Sequence, residues 1–150
     1  MISWQDPKAK VSKYFTVAEC IYLPSWKCCH IPNIEEQNNI LQMALKLDQV
    51  REILNKPINI HCFIRPKIVN SPASIYHKKD YNKFVGGAKN SAHILGKGVD
   101  FDAGENCDKT RETLLLYLEK LQLRMENKKF SSWVHLGNDW KPGMSYYFIP

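Results

Sequence analysis

The sequence predicts an α+β fold, with a small antiparallel sheet and helices packed on one side of it. The clearest helical periodicity comes early, in residues 33–54, and most strand-like segments come late, in residues 98–102, 132–136 and 145–149. Helices and strands do not alternate as they do in βαβ units. A chain of 150 residues with 44% hydrophobic residues can bury one core. We therefore expect an N-terminal arm at residues 1–13 and one domain at residues 14–150.

Two longer helices are predicted. Residues 15–23 suggest only a short helix, before a loop that runs from Pro24 to Pro32. Asn33 is a good N-cap with Glu36 three residues later, and the apolar stripe that follows stops before Asn55 and Pro57. That stripe consists of Ile40, Ala44, Leu47, Val50 and Leu54. Asp108 is a plausible N-cap for the second helix, whose stripe is Leu114, Leu118 and Leu121.

The predicted strands alternate apolar and polar residues. The first, residues 58–63, leads to Arg65, and the strand at residues 98–102 sends Asp100 and Asp102 to one face. Residues 132–136 and 145–149 are rich in β-branched and aromatic residues, as strands are. Residues 68–90 show little periodicity and predict a long loop over the site.

Two histidines and an aspartate have the types and spacing of a catalytic metal site. Such a site needs three protein ligands and one open position for water. His93 and Asp100 flank a turn in which Gly96 and Gly98 allow the backbone to bend, and His135 lies on a later predicted strand. If the two strands are neighbours, His135 lies beside Asp100, so the sequence predicts a site for one zinc ion.

At these residues the chain resembles the zinc D-alanyl-D-alanine carboxypeptidases and L-alanyl-D-glutamate endopeptidases, which cut peptidoglycan peptides. Their pattern is Ser-x-His-x-x-Gly-x-x-x-Asp followed by a histidine on a strand, here Ser91, His93, Gly96, Asp100 and His135. The resemblance extends over residues 14–136. It implies the Hedgehog/DD-peptidase fold, metal-assisted amide hydrolysis, and peptidoglycan peptides as substrates.

The resemblance also implies roles around the metal. Arg65 would anchor a substrate carboxylate or polarise the scissile carbonyl, because a guanidinium forms paired hydrogen bonds with such groups. A surface salt bridge is the ordinary alternative for an arginine. Ser91 would bind substrate or hold its loop.

The general base is not evident. Many family members have an acidic residue three positions before the last histidine, where this chain has Ser132. On a continuing strand Asp139 would lie about 13 Å from His135, too far to act directly. Asp102 is a candidate for supporting the ligands, and Glu126 is our hypothesis for the base. The alternative to an enzyme is a non-catalytic zinc-bearing structural or wall-binding part of a virion.

Net charge and hydropathy indicate which classes of partner the protein can have. The net charge of +6 suits a polyanionic partner such as a cell wall, but the cations are scattered and no nucleic-acid-binding motif appears. No segment is apolar enough to insert in a membrane, and the first residues do not resemble a signal peptide. We therefore expect synthesis in a host cytoplasm and action at the bacterial wall, as a phage lysin or a virion component with other virion proteins as partners.

The five cysteines predict reduced thiols rather than a disulfide framework. A second metal at Cys28, Cys29 and His30 would need a further pair of ligands, and none is visible.

Overall fold

A computed structural model describes all 150 residues of the chain. Five α-helices and seven strands follow one another along it. The helices are α1 (Val17–Ile21), α2 (Ile34–Leu54), α3 (Tyr81–Phe84), α4 (Cys107–Leu115) and α5 (Leu118–Leu121). The strands are β1 (Tyr22–Leu23), β2 (Cys28–Cys29), β3 (Asn59–Cys62), β4 (Gly98–Asp102), β5 (Arg124–Glu126), β6 (Val134–Gly137) and β7 (Tyr147–Phe148).

The main sheet has five strands in the order β3-β4-β6-β5-β7, and β1 and β2 form a separate two-stranded pair. All neighbours in the main sheet are antiparallel except β5 and β7, which are parallel. The predicted α+β class is therefore confirmed, with a small sheet and helices. The expectation of a wholly antiparallel sheet is wrong at its β7 edge.

Helix α2 begins and ends where the sequence predicts. The Asn33 side chain accepts a hydrogen bond from the Glu36 backbone N–H at 3.0 Å, and the Glu36 carboxylate accepts one from the Asn33 N–H at 2.8 Å. Asn55 ends the helix in the left-handed conformation, with φ of 52°. The predicted apolar stripe is buried. It shares one hydrophobic cluster with the inward-facing residues of β4 and β6, which are Val99, Phe101, Val134 and Leu136.

The second predicted helix differs in detail. Asn106, not Asp108, is the N-cap, since its side chain accepts from the Asp108 backbone N–H at 2.8 Å. The leucine stripe is divided between α4 and α5. Strand β5, which follows α5, was not expected from the sequence.

The first residues of the chain contact α2. The Asp48 carboxylate accepts hydrogen bonds from the Ser12 hydroxyl at 2.9 Å and the Lys13 backbone N–H at 3.0 Å. Val11 is buried. The division into an arm and a domain stays a prediction. None of the helices has the length and apolar character that crossing a bilayer would require.

Candidate metal centre

The sheet has one face packed on the helices and one face open to a cavity, and the predicted ligands lie on the open face. In β4, Val99 and Phe101 are in the core, so Asp100 between them points to the opposite side. The antiparallel register places Asp100 directly opposite His135 of β6. Two of the predicted ligands thus occupy neighbouring positions in one row across the sheet.

The third predicted ligand, His93, lies in a short 3-10 helix, Ala92–Leu95, immediately before β4. The Ser91 hydroxyl caps this helix by accepting a hydrogen bond from the His93 backbone N–H at 3.3 Å. Gly96 ends it with φ of 73°, a conformation that favours glycine. A Cβ at Gly98 would lie 2.9 Å from the His93 backbone nitrogen, so glycine is also required there for the close approach.

The three side chains converge. His93 Nε2 and His135 Nδ1 are 3.1 Å and 2.8 Å from the same Asp100 oxygen, and 3.1 Å from each other. Tetrahedral zinc with bonds of about 2.0–2.1 Å separates its ligand atoms by about 3.3 Å. The donor set therefore fits a metal ion after small outward shifts, and no other group of three such residues in the chain converges in this way.

Hydrogen bonding prepares His93 for this role. Its Nδ1–H donates to the Phe63 carbonyl at 2.7 Å, which leaves the Nε2 lone pair directed at the other ligands. Burial lowers the pKa of His93, outweighing the effect of Asp100, so the ring is neutral at neutral pH, as a ligand must be. Burial opposes ionisation of Asp100, but hydrogen bonds with His135 and His93 hold its pKa well below the usual range.

Arg65 borders the ligand cluster. Its backbone N–H donates to the His93 carbonyl at 2.9 Å, and its guanidinium donates to His93 Nε2 at 3.1 Å and to the Asp100 carboxylate. Burial favours the neutral form, but the charges of Asp100 and Cys62 and the hydrogen bonds with them together outweigh burial and raise the pKa of Arg65. The guanidinium is therefore a fixed cation beside the site, with 20% of its side chain exposed.

A cavity of about 430 Å³ opens over these residues, and we call it the central cavity. Ser91, Glu126, Arg65 and the three predicted ligands all line it. Ser132 does not. It lines a separate cavity with Asp102 and Asp108, so the usual position of the acidic residue does not face the ligands here.

Glu126 lies in the same row of the sheet as two of the ligands. In the antiparallel register of β5 and β6, Arg124 is opposite Gly137 and Met125 is opposite Leu136. One residue further along, Glu126 comes opposite His135. Directly opposite residues have Cβ atoms about 4.5–5.5 Å apart. Asp100, His135 and Glu126 therefore succeed one another across three adjacent strands.

Two expectations about acidic residues need correction. Strand β6 ends at Gly137, so the chain turns and Asp139 also lines the central cavity, where it forms an ion pair with Arg124 at 3.3 Å. Asp102 does not support the ligands. Its carboxylate interacts with His61 Nε2 at 2.6 Å and accepts from the Asn59 amide and the Gly104 N–H.

Other parts of the site were not expected from the sequence. Arg124, Lys128, Trp133 and Phe148 line the central cavity. Alternation along the predicted strand at residues 132–136 places Trp133 on the same face as His135, which is the signal that would have identified it. The remaining three lie on elements whose positions depend on the tertiary fold.

The adjacent cysteines do not form a second metal centre. His30 is buried, with Nε2 against Glu36 at 2.9 Å and Nδ1 accepting from the Asn70 N–H at 3.0 Å. Both ring nitrogens are therefore occupied, and none is free for a metal. All five cysteines are free thiols, as predicted.

Comparison with known proteins places the chain in a family. A family model described as Peptidase M15 matches residues 13–137, which include every predicted ligand and Arg65. Searches of curated proteins and of solved structures give no significant match. Membership supports a metallopeptidase, in agreement with the His-Asp-His cluster. The chain belongs to the peptidase M15 family.

Proposed function

We propose that the chain is a zinc metallopeptidase that hydrolyses peptide bonds in peptidoglycan, in stem or cross-link peptides that contain D-amino acids. The observation that carries the proposal is the convergence of His93, Asp100 and His135 at the base of a cavity that Arg65 and Glu126 also line. A structural zinc site would be closed by a fourth protein ligand, whereas this one opens to solvent.

The donor set suits one zinc ion, held by His93, Asp100 and His135. Zinc in such a site supplies Lewis-acid chemistry, polarising a substrate carbonyl and lowering the pKa of water to about 7. Arg65 supplies a fixed positive charge at the same edge of the cavity. Its guanidinium would orient the substrate by donating hydrogen bonds to a carbonyl or carboxylate oxygen. Ser91 holds His93 through the cap and lines the substrate's path.

The same proposal assigns the general base to Glu126. A base must lie within hydrogen-bond reach of the proton that it removes, directly or through one water molecule. Because Glu126 lies opposite His135 in the sheet, its carboxylate can reach a water molecule in the central cavity. Asp139 is the competing carboxylate in the cavity, but its charge is already paired with Arg124. Glu126 has no such ion pair.

We extend the proposal to a phage lysin or a virion-associated wall hydrolase. Two observations support action at an anionic wall: the resemblance to peptidoglycan peptidases, and the net charge of +6, which favours attraction to such a wall. On this view the partners are peptidoglycan peptides and, for a virion component, other virion proteins.

The experiment that tests the function is digestion of isolated peptidoglycan by the zinc-loaded chain, with mass spectrometry of the released peptides. We expect new peptide termini that are absent with His135→Ala, and the termini identify the bond. Intact peptides across several wall chemistries, with zinc still bound, would instead indicate a non-catalytic zinc-bearing wall-binding or structural role.

A further inference from the structure

A second cavity adjoins the central cavity on the far side of Arg65. Its volume is about 480 Å³, and Arg65, Lys128 and Trp133 line both cavities. His61 and Tyr81 line only the second. A substrate that lies over the ligands can therefore continue past Arg65 without leaving the protein surface. We call this second cavity the flanking cavity.

The sheet fixes the spacing between the two cavities. The register of β4 and β6 pairs Asp100 with His135 and Phe101 with Val134. Continuing this register one residue beyond the start of β6 places Trp133 opposite Asp102, in the row next to the predicted ligands on the same face. Two residues along a strand span about 7 Å. An extended peptide advances about 3.3–3.6 Å per residue, so the flanking cavity lies about two substrate residues from the ligands.

The ionisable nitrogen groups that line the flanking cavity are two cations and one histidine. Arg65, Lys128 and His61 line it, and no aspartate or glutamate does. The nearest carboxylate along β4 is Asp102, which interacts with His61 and lines a different cavity. The central cavity is different, since Asp100, Glu126 and Asp139 line it.

Lys128 is positioned over the flanking cavity but has no anionic partner. Its ammonium lies 4.8 Å from the centre of the Trp133 ring and forms no salt bridge in the chain. A cation held against an aromatic face keeps its donors available to a ligand. Trp133, which is half-buried, offers apolar surface for the aliphatic part of that ligand.

We infer that the flanking cavity is a specificity subsite that binds a free carboxylate of the substrate peptide, about two residues from the scissile bond, through Lys128. This rests on the proposed function and names the substrate feature that the site selects. Wall stem peptides carry such a group in the α-carboxylate of D-glutamate, and some walls present it as the neutral amide. The subsite would distinguish the two forms.

The test uses two synthetic stem pentapeptides that differ only in this group, with the D-glutamate α-carboxylate free or amidated. Cleavage is measured as kcat/KM with the zinc-loaded chain. Binding is measured separately by calorimetry on His135→Ala, which lacks a ligand and does not turn over. We expect the free acid to be preferred about fivefold in both measurements, the upper range for one exposed ion pair.

Lys128→Gln should abolish this preference. Lys129→Gln removes the same charge at the next position, which is also exposed but lines neither cavity, and this variant should retain the preference. Equal affinity for the two peptides, or a preference that survives Lys128→Gln, overturns the subsite. A Lys128-dependent binding preference without cleavage of either peptide supports the subsite and overturns the proposed catalytic function.

Discussion

Replacing Glu126 by Gln is the most direct test of the assigned general base. The amide preserves the size of the side chain and its place opposite His135, but it cannot accept a proton at neutral pH. Glu126 is half-buried, lines the central cavity and forms no ion pair that the substitution would break. We therefore expect unchanged folding and zinc content, with the effect confined to turnover.

The size of the effect follows from the geometry. With Cβ atoms about 5 Å apart in opposite residues, the carboxylate reaches the ligand cluster directly or through one water. A positioned base contributes about 10²–10⁴-fold, or about 3–5 kcal/mol of transition-state stabilisation. The kcat of Glu126→Gln should fall by that factor with little change in KM. Single-turnover cleavage of a labelled stem peptide, with zinc quantified in each sample, measures it.

Asp139→Asn and Ser132→Ala are the matched controls. Asp139 lies in the same cavity but is paired with Arg124, so its loss should reduce kcat far less than that of Glu126. Ser132 faces another cavity, so its loss should leave kcat unchanged. If Glu126→Gln retains turnover within about threefold, the assignment is refuted, and a large loss in Asp139→Asn would transfer the role to that residue.

Three further predictions concern the framework. Gly98→Ala puts a Cβ 2.9 Å from the His93 nitrogen, so calorimetry should show zinc affinity reduced by about tenfold or more. Asn33→Ala removes the cap of α2 and should cost about 1 kcal/mol, a fall in Tm of about 2–4 °C by thermal unfolding. Arg111 donates to Asp108 and lowers the pKa of that carboxyl. This stabilisation is present above the unfolded pKa of about 4 and is lost on acidification through the folded-state pKa. The Tm difference between the wild type and Asp108→Asn should therefore be largest at pH 7 and shrink as the pH falls below the unfolded pKa of about 4.

The features that the sequence predicts well depend on local patterns. Asn33 and Glu36 signal the start of α2 because the capping contacts lie within four residues. Alternation in residues 98–102 places Asp100 on the face opposite the core because strand geometry alone determines it. The spacing around Gly96 and Gly98 likewise identifies the turn between His93 and Asp100.

The features that were not predicted depend on contacts between distant segments. Arg124–Glu126 is too short a segment to show strand periodicity, and it becomes a strand by pairing with β6 and β7. The position of Asp139 depends on where β6 ends, which alternation does not reveal. The interaction of Asp102 with His61 could not be predicted either, because the two residues are 41 positions apart in the chain.

The row formed by Asp100, His135 and Glu126 makes the chemistry of the site depend on strand register. A slip of β5 by one residue would turn Glu126 toward the helices and bring Met125, now buried, over the ligands. The connection at residues 127–133 lies outside both strands. A change in the length of this connection would move Lys128 and Trp133, which line both cavities. A single insertion inside β5 would instead turn the proposed base away from the cavity without moving His93, Asp100 or His135, which lie on other elements.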